Sequence, residues 1–349
     1  MPLTEINERV IQENIIVAKD LKKWFPVRRS IGEVLRRAPP KYVRAVDGVT
    51  FVVRKGEIFG LVGESGCGKT TTGRLILRLI EPTGGKIYFS GKDITDIPMR
   101  ELRPLRKEMQ MIFQDPYGSL NPRFTVFNIL EEPLLIHHIG ATTKEREELV
   151  AKALEEVRLV PPQEFMFRYP HQLSGGQRQR VAIARALILK PKFIVADEPV
   201  SMLDVSIRAE ILELMLELKR KYELTYLYIT HDLSTARYFC DKIAVMYLGK
   251  IVEMGPAKRI IDNPLHPYTR ALVAAVPEPD PSNRLKIREV PIKGEVPSAV
   301  NIPPGCRFHT RCVAFDEHPE IRELCKSKEP PLIEVEPDHY VACHLYARK

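Results

Sequence analysis

The sequence predicts an α/β fold built on a largely parallel sheet, and three observations lead there. A glycine-rich loop, Gly63–Thr70, lies between an apolar run and a helical stretch. A second apolar run, Phe193–Ala196, ends in two adjacent carboxylates, Asp197 and Glu198. Around them, short β-branched segments alternate with longer segments of helical periodicity, the pattern of strand–helix–strand units.

The elements follow in order. Ile15–Val17 is a short β-branched run, and Arg28–Tyr42, which holds Gly32, Pro39 and Pro40, interrupts the strands around it. Val49–Val53 and Ile58–Val62 are expected as short strands, bounded by Gly48, Lys55 and Gly56. A helix is expected over Thr71–Ile80, and helical patterns recur over Thr143–Val160 and Gln177–Leu189. Phe193–Ala196 and Tyr226–Thr230 read as buried strands. Lys242–Tyr247 and Lys250–Met254 flank Leu248-Gly249, which suggests a hairpin. Beyond Pro256 the character changes. Pro277, Pro279, Pro281, Pro291, Pro297, Pro303 and Pro304 mark a loop-rich segment that runs into a cysteine-bearing tail.

Composition excludes two classes. With 44% hydrophobic residues the chain has ample material for a core, so wholesale disorder is ruled out. Apolar runs such as Ala271–Val276 fall far short of the roughly 20 residues that a spanning helix needs. The polar start, MPLTEINERV, is unlike a signal peptide, so the chain is expected to stay in the cytoplasm. The net charge of +8 is concentrated: Lys19–Arg44 holds nine basic residues against two acids. Such a stretch suits nucleic acid, an anionic membrane surface or a solvated loop, and composition does not choose among them.

Gly63-Glu64-Ser65-Gly66-Cys67-Gly68-Lys69-Thr70 fits G-x-x-x-x-G-K-[ST], and its setting after a strand and before a helix is the one the motif requires. Glycines let backbone N–H groups curl around phosphates, Lys69 reaches the β- and γ-phosphates, and the hydroxyl of Thr70 suits Mg²⁺. Thr71 continues the loop into the helix. Asp197 and Glu198 follow a buried strand at its C-terminal edge, where open α/β sheets bind ligands. There Asp197 would hold Mg²⁺ through its water shell and Glu198 would polarise an attacking water. Leu173-Ser174-Gly175-Gly176-Gln177 opens another helix and makes a second anion-binding surface, one more than a single nucleotide needs from one chain.

With Gln114 in Ile112-Phe113-Gln114-Asp115, Ser201-Met202-Leu203-Asp204, and His231 in Thr230-His231-Asp232, these motifs occur in an order that closely resembles the ATP-binding cassette (ABC) ATPases. The resemblance implies a P-loop ABC ATPase core with an inserted helical subdomain and a C-terminal Cys-rich extension. The ATPase domain would span 14–263, the helical subdomain about 115–173 and the extension 264–349. It also implies roles. Gln114 would be a Mg²⁺ ligand and water sensor. His231 would contact the γ-phosphate. Ser174, Gly175, Gly176 and Gln177 would close on the nucleotide of a partner subunit, and Asp204 would cross that interface. Met202 departs from the small residue expected in its motif. Phe25 fits the spacing of an adenine-stacking ring, with Trp24 beside it as the alternative.

The tail narrows the resemblance. Asn263-Pro264-Leu265-His266-Pro267-Tyr268-Thr269-Arg270-Ala271-Leu272 resembles the segment after the core in oligopeptide and dipeptide importers, and the interruption at Arg28–Tyr42 resembles the longer of their two paired ATPases. Cys306, Cys312, Cys325 and Cys343 fall within the last 44 residues. A cytoplasmic setting disfavours disulfides. Zinc suits four thiolates but usually takes closely spaced pairs, and His309, His339 and His344 keep it open. A [4Fe–4S] cluster tolerates wide spacing, and the run from Gly305 to Cys312 resembles the cluster-binding tail of peptide-importer ATPases.

The implied function is ATP hydrolysis, with Mg²⁺, driving uptake of di- or oligopeptides from the cytoplasmic side of a prokaryotic membrane. The implied partners are two membrane permease subunits, a second paralogous ATPase and an extracytoplasmic substrate-binding protein. Oligosaccharide or nickel-chelate import by the same machinery is the alternative cargo. A soluble ABC-type ATPase acting on nucleic acid is the rival from another class. Against it, Thr70 to Leu173 leaves no room for a long coiled-coil insertion, and nucleic acid is not expected as a partner.

Overall fold

The computed structural model describes residues 6–29, 39–276 and 290–347. Part of the expected interruption at Arg28–Tyr42, and Pro277, Pro279 and Pro281, lie outside the described residues. In chain order the strands are β1 (Asn14–Pro26), β2 (Tyr42–Arg54), β3 (Ile58–Val62), β4 (Gly84–Phe89), β5 (Lys92–Asp93), β6 (Met109–Ile112), β7 (Phe193–Asp197), β8 (Thr225–Thr230), β9 (Lys242–Tyr247), β10 (Lys250–Pro256), β11 (Ile333–Glu336) and β12 (His339–Val341). The chain divides into two compact units. One comprises Met1–Val52, Phe59–Thr95 and Thr230–Lys349; the other comprises Val53–Ile58 and Asp96–Ile229.

The first unit carries an antiparallel sheet in the order β2-β1-β4-β5 and a run in the order β11-β12-β10-β9-β3. In that run β3 and β9 are parallel, with Gly60 opposite Ile243, while β9 and β10 form the expected hairpin. Every residue of β3 is buried, so its IFGLV run needs no alternation. The expected short strands at 15–17 and 49–53 are both 13 residues long. Gly48 is therefore not a boundary. It sits inside β2 at φ +86°, and a Cβ there would lie 2.9 Å from Oδ1 of Asp20. Asp20 itself is left-handed, at φ 48°, where the β1–β4 register slips between Lys19 and Lys22. The glycine gives a bulged strand room to continue.

The tail is woven into this unit. Strand β12 pairs with β10, Glu253 opposite Val341, and its hairpin partner β11 forms the edge of the run. The carboxylate of Glu253, fully buried, accepts from the N–H groups of Leu265 (2.8 Å) and His266 (2.9 Å), and Nε2 of His339 lies 2.7 Å from it. These contacts tie the start of the extension and β12 to β10, in the same run as β3.

The second unit carries the parallel run β8-β7-β6, with Ile194 of β7 opposite Gln110 of β6 and Tyr226 of β8. Between β6 and β7 lie the helices Pro116–Ser119, Val126–Ile136, Thr143–Glu156, Pro162–Met166 and Gly175–Leu187. Their ends are set locally. Thr125 and Asn128 form a reciprocal cap on the second, and Thr142 caps the third through the N–H of Glu145. The 18-residue helix Val205–Tyr222 connects β7 to β8 and buries Ile211, Leu212, Leu214, Met215 and Leu218 along one stripe. Among the described residues no helix is long and apolar enough to cross a membrane.

Candidate nucleotide site and cysteine cluster

In the first unit, the phosphate loop leaves β3 and enters the helix Lys69–Ile76. Backbone approach dictates its glycines. A Cβ at Gly68, φ +109°, would lie 2.1 Å from the carbonyl oxygen of Ala45, and one at Gly63 would lie 2.3 Å from that of Met246. Lys69 is buried, 5% exposed, and its ammonium donates to the carbonyl oxygens of Gly63 (2.7 Å) and Glu64 (3.0 Å). The loop thus arches over its own lysine. The hydroxyl of Thr72 donates to Gly68 O at 2.9 Å and locks the first helical turn. Ser65 and Gly66 lie at the crest, Gly66 at φ +78°. Thr70 and Thr71 open the helix. Cys67 sits beneath the loop, where burial pushes its thiol up, away from the reactive thiolate.

Trp24 and Phe25 part company in the structure. The indole N–H of Trp24 donates to Asp47 at 2.8 Å, and the guanidinium of Arg44 lies 4.7 Å from its ring centroid. Phe25 is 38% exposed, and the ammonium of Lys23 lies 5.2 Å from its ring centroid. Of the two, Phe25 has the ring open to a ligand. His231 is exposed just beyond β8, ahead of Asp232, which caps the helix Leu233–Phe239.

In the second unit, Asp197 ends β7 and is 2% exposed. Glu198 adopts φ 46°, a conformation that costs a non-glycine residue about 1–3 kcal/mol. Its N–H donates to Ile229 O at 2.9 Å, which turns the backbone sharply off the strand. Its carboxylate accepts from Nε2 of Gln114 at 3.1 Å, so two residues 84 positions apart meet at one point. Ser174 caps the helix Gly175–Leu187 reciprocally with Gln177: N–H of Gln177 to the hydroxyl at 3.3 Å, N–H of Ser174 to the amide oxygen at 3.0 Å. A Cβ at Gly176 would meet Ile207 at 2.8 Å, so this glycine also serves close packing against the helix that Asp204 precedes. Met202 is 59% exposed and Val205 80%, an apolar pair beside Asp204.

The tail cysteines are neighbours in the first unit. The N–H of Cys306 donates to Cys325 O at 2.8 Å; the hydrogen bond between the two thiols and then burial push Cys306 up, while the same bond holds Cys325 down against the opposing effect of burial. Burial raises Cys312, and pushes Cys343 up to about 12; both also feel the Cys325 sulfur. Backbone N–H groups of Phe308, of Ala314 and Phe315, and of Leu345 point at the sulfurs of Cys306, Cys312 and Cys343. These donors offset part of the effect of burial, which still holds the three sulfurs toward the protonated thiol. Among the described residues, no group of three or more His, Cys, Asp or Glu side chains is placed to hold a metal ion, the four tail cysteines included.

Sequence reasoning missed the partners of Glu64. Its N–H donates to the hydroxyl of Tyr268 at 2.9 Å, and its carboxylate accepts two bonds from Arg311, at 2.9 and 3.2 Å. It missed equally the Asp47–Arg307 ion pair. The available signal was weak: two arginines inside a cysteine-bearing segment whose surroundings balance eleven bases against eleven acids.

The ABC transporter family matches residues 46–201, and the family described as the oligopeptide/dipeptide transporter C-terminal region matches 252–318. The chain is 48% identical over 342 residues, 96% of its length and 98% of the relative's, to the oligopeptide transport ATP-binding protein AppF of Bacillus subtilis (strain 168). It is 50% identical over 87% of its length to a putative oligopeptide transport ATP-binding protein, YkfD, of the same organism, covering 90% of that protein. Among solved structures it resembles the ATP-binding cassette MJ0796 in a dimeric, post-hydrolysis state bound to ADP and Pi. That likeness has a TM-score of 0.60 at 29% identity, covering 70% of this chain and 99% of the other.

Proposed function

The chain belongs to the ABC transporter ATP-binding proteins, and we propose that it is the ATP-hydrolysing subunit of an importer of di- or oligopeptides. Peptide cargo is supported by the likeness extending through residues 252–318 to the oligopeptide/dipeptide region, beyond the cassette itself. The hydrolytic reading is carried by one observation: Gln114 bonded to a Glu198 that sits in a strained backbone turn, directly after a buried Asp197. Backbone strain of this kind gathers at functional sites.

The roles follow. Gly63–Thr71 wraps the phosphates with backbone N–H groups, and Lys69 exchanges its bonds to Gly63 and Glu64 for phosphate oxygens. Thr70, Gln114 and Asp197 supply oxygen ligands suited to Mg²⁺, which when bound neutralises charge on the β- and γ-phosphates. Glu198 accepts a proton from the attacking water, oriented by Gln114. His231 stabilises the γ-phosphate, and Phe25 stacks on adenine. Ser174–Gln177 and Asp204 act across a dimer with a second ATPase. Residues about 115–173 form the helical subdomain that faces the membrane permeases. The chain works at the cytoplasmic face of the membrane, with two permeases and an extracytoplasmic binding protein delivering peptide.

The proposal extends to the tail. Cys306, Cys312, Cys325 and Cys343 hold a [4Fe–4S] cluster, a staple for a loop-rich extension. The reading is supported by four buried or half-buried thiols that sense one another and by the N–H groups aimed at three of them. Protein purified without oxygen is expected to carry about four irons per chain and to lose them in Cys306→Ser but not in Cys240→Ser. Stoichiometric zinc without iron would defeat the cluster. The transport reading is tested by proteoliposomes containing permeases and paired ATPases. ATP hydrolysis is expected to rise when peptide-loaded binding protein is added, and stimulation by oligosaccharide or nickel chelate instead would reassign the cargo.

A further inference from the structure

Glu64 places a carboxylate inside a loop built to take a triphosphate. Its backbone carbonyl oxygen accepts from the ammonium of Lys69 at 3.0 Å, the group proposed to meet the phosphates, so Glu64 lies within the loop that wraps them. A bare carboxylate there repels an anionic ligand. The extension answers that charge. Nη1 and Nη2 of Arg311 grip both carboxylate oxygens in a two-pronged pair, and the arginine side chain is 8% exposed. The hydroxyl of Tyr268 takes the N–H of the same residue, so Glu64 is held by both its side chain and its backbone.

These grips rest on a rigid base. Phe308, three residues before Arg311, packs edge-on against Tyr247 at 5.2 Å and tilted against Tyr268 at 5.4 Å. Tyr247 and Tyr268 pack together at 4.8 Å. Arg307 donates to Leu248 O and to Asp47. The next residue, Gly249, donates its N–H to Cys67 O at 2.9 Å, while its carbonyl accepts from the N–H of Asp47 at 2.9 Å. The segment Cys306–Cys312 thus touches the phosphate loop directly at Glu64, through Arg311, and reaches Cys67 indirectly, through Leu248 and Gly249.

We infer that Arg311 is a positioning residue for nucleotide binding: by neutralising Glu64 and turning it toward the extension, it lets the C-terminal region set the affinity of the phosphate loop for ATP. This rests on the reading of that loop as the ATP site and concerns this chain's own residues. The roles proposed for Lys69, Thr70 and Glu198 are unchanged by it.

The test is the dissociation constant of a fluorescent ATP analogue with Mg²⁺, measured on the full chain, with thermal melts as a check on folding. Arg311→Ala is expected to weaken binding about tenfold, more at low ionic strength than at high. Adding Glu64→Gln to that variant is expected to recover most of the loss, because the repelling charge has gone. Glu64→Gln alone is expected to tighten binding, since Arg311 is then left as an uncompensated cation. A purely structural role for Arg311 gives a loss that Glu64→Gln does not recover, and that result would overturn the inference. So would an unchanged affinity in Arg311→Ala, or weaker binding in Glu64→Gln. If the alanine variant fails to fold, Arg311→Gln, which keeps the length and a donor but no charge, makes the same comparison. Failure of the unaltered chain to bind ATP would overturn the nucleotide reading and this inference together. Normal binding by the unaltered chain, with no effect of Arg311→Ala, would overturn this inference alone.

Discussion

Replacing Glu253 by Leu should detach the extension from its sheet. The side chain is fully buried on β10 and is the acceptor for three donors: the N–H groups of Leu265 and His266, and Nε2 of His339. Leucine fills much of the volume but accepts nothing. Two backbone N–H groups and one imidazole nitrogen would be stranded in a core without water, at about 1–3 kcal/mol each. No longer burying a carboxylate offsets part of this, which leaves a net loss of about 3–5 kcal/mol. Glu253→Gln keeps one acceptor oxygen and should lose about half as much. Urea unfolding followed by circular dichroism measures the loss, and limited proteolysis shows whether cleavage moves to the region after Asn263. The site should suffer as well, because Tyr268, the partner of Glu64, follows His266 by two residues. A Glu253→Leu chain within about 1 kcal/mol of the unaltered protein would refute the claim that this carboxylate anchors the extension.

Gly68→Ala should abolish ATP binding and destabilise the fold, because the added methyl meets the Ala45 carbonyl oxygen at 2.1 Å and backbone must move; isothermal titration checks it. Acid should weaken the protein through His266, whose pKa burial pushes down to about 4 against an ordinary 6.5, with Glu253 opposing and Arg270 assisting. Below pH 6.5 the unfolded chain binds a proton that the folded chain refuses, so stability present above that pH is lost as pH falls toward 4, by up to about 3 kcal/mol. His266→Asn, which keeps a cap for the N–H of Tyr268 but cannot titrate, should flatten that part of the stability–pH curve.

The motifs proposed to carry chemistry were legible as local structure because each is local. Gly63–Thr70 declares itself by glycines at fixed offsets beside a strand and a helix, and Ser174 with Gln177 is a capping box before it is anything else. Strand lengths were not legible at Gly48 and Asp20, where a bulge lets two strands run on through residues that usually end them. Spacing alone did not separate Trp24 from Phe25. Packing distinguishes them, since Asp47 and Arg44 occupy the indole. The clamp on Glu64 was least legible of all, because Arg311 lies 247 residues away and no periodicity records such a pairing. The same holds for Glu253, which in sequence is one acid within an apolar strand and in space is the hub joining β10, the start of the extension and β12.

The most direct test of ATP hydrolysis at this site is to compare the unaltered chain with Glu198→Gln, each paired with the proposed second ATPase, in ATP binding and in single-turnover hydrolysis. Glutamine keeps the shape and the contact with Gln114 but cannot take a proton from water. The variant is expected to bind ATP as tightly as the unaltered chain, to hydrolyse it about 10²–10⁴-fold more slowly, and to accumulate as a nucleotide-bound dimer. Near-normal hydrolysis by Glu198→Gln would contradict the assignment of Glu198 as the base and with it the proposed chemistry of the site.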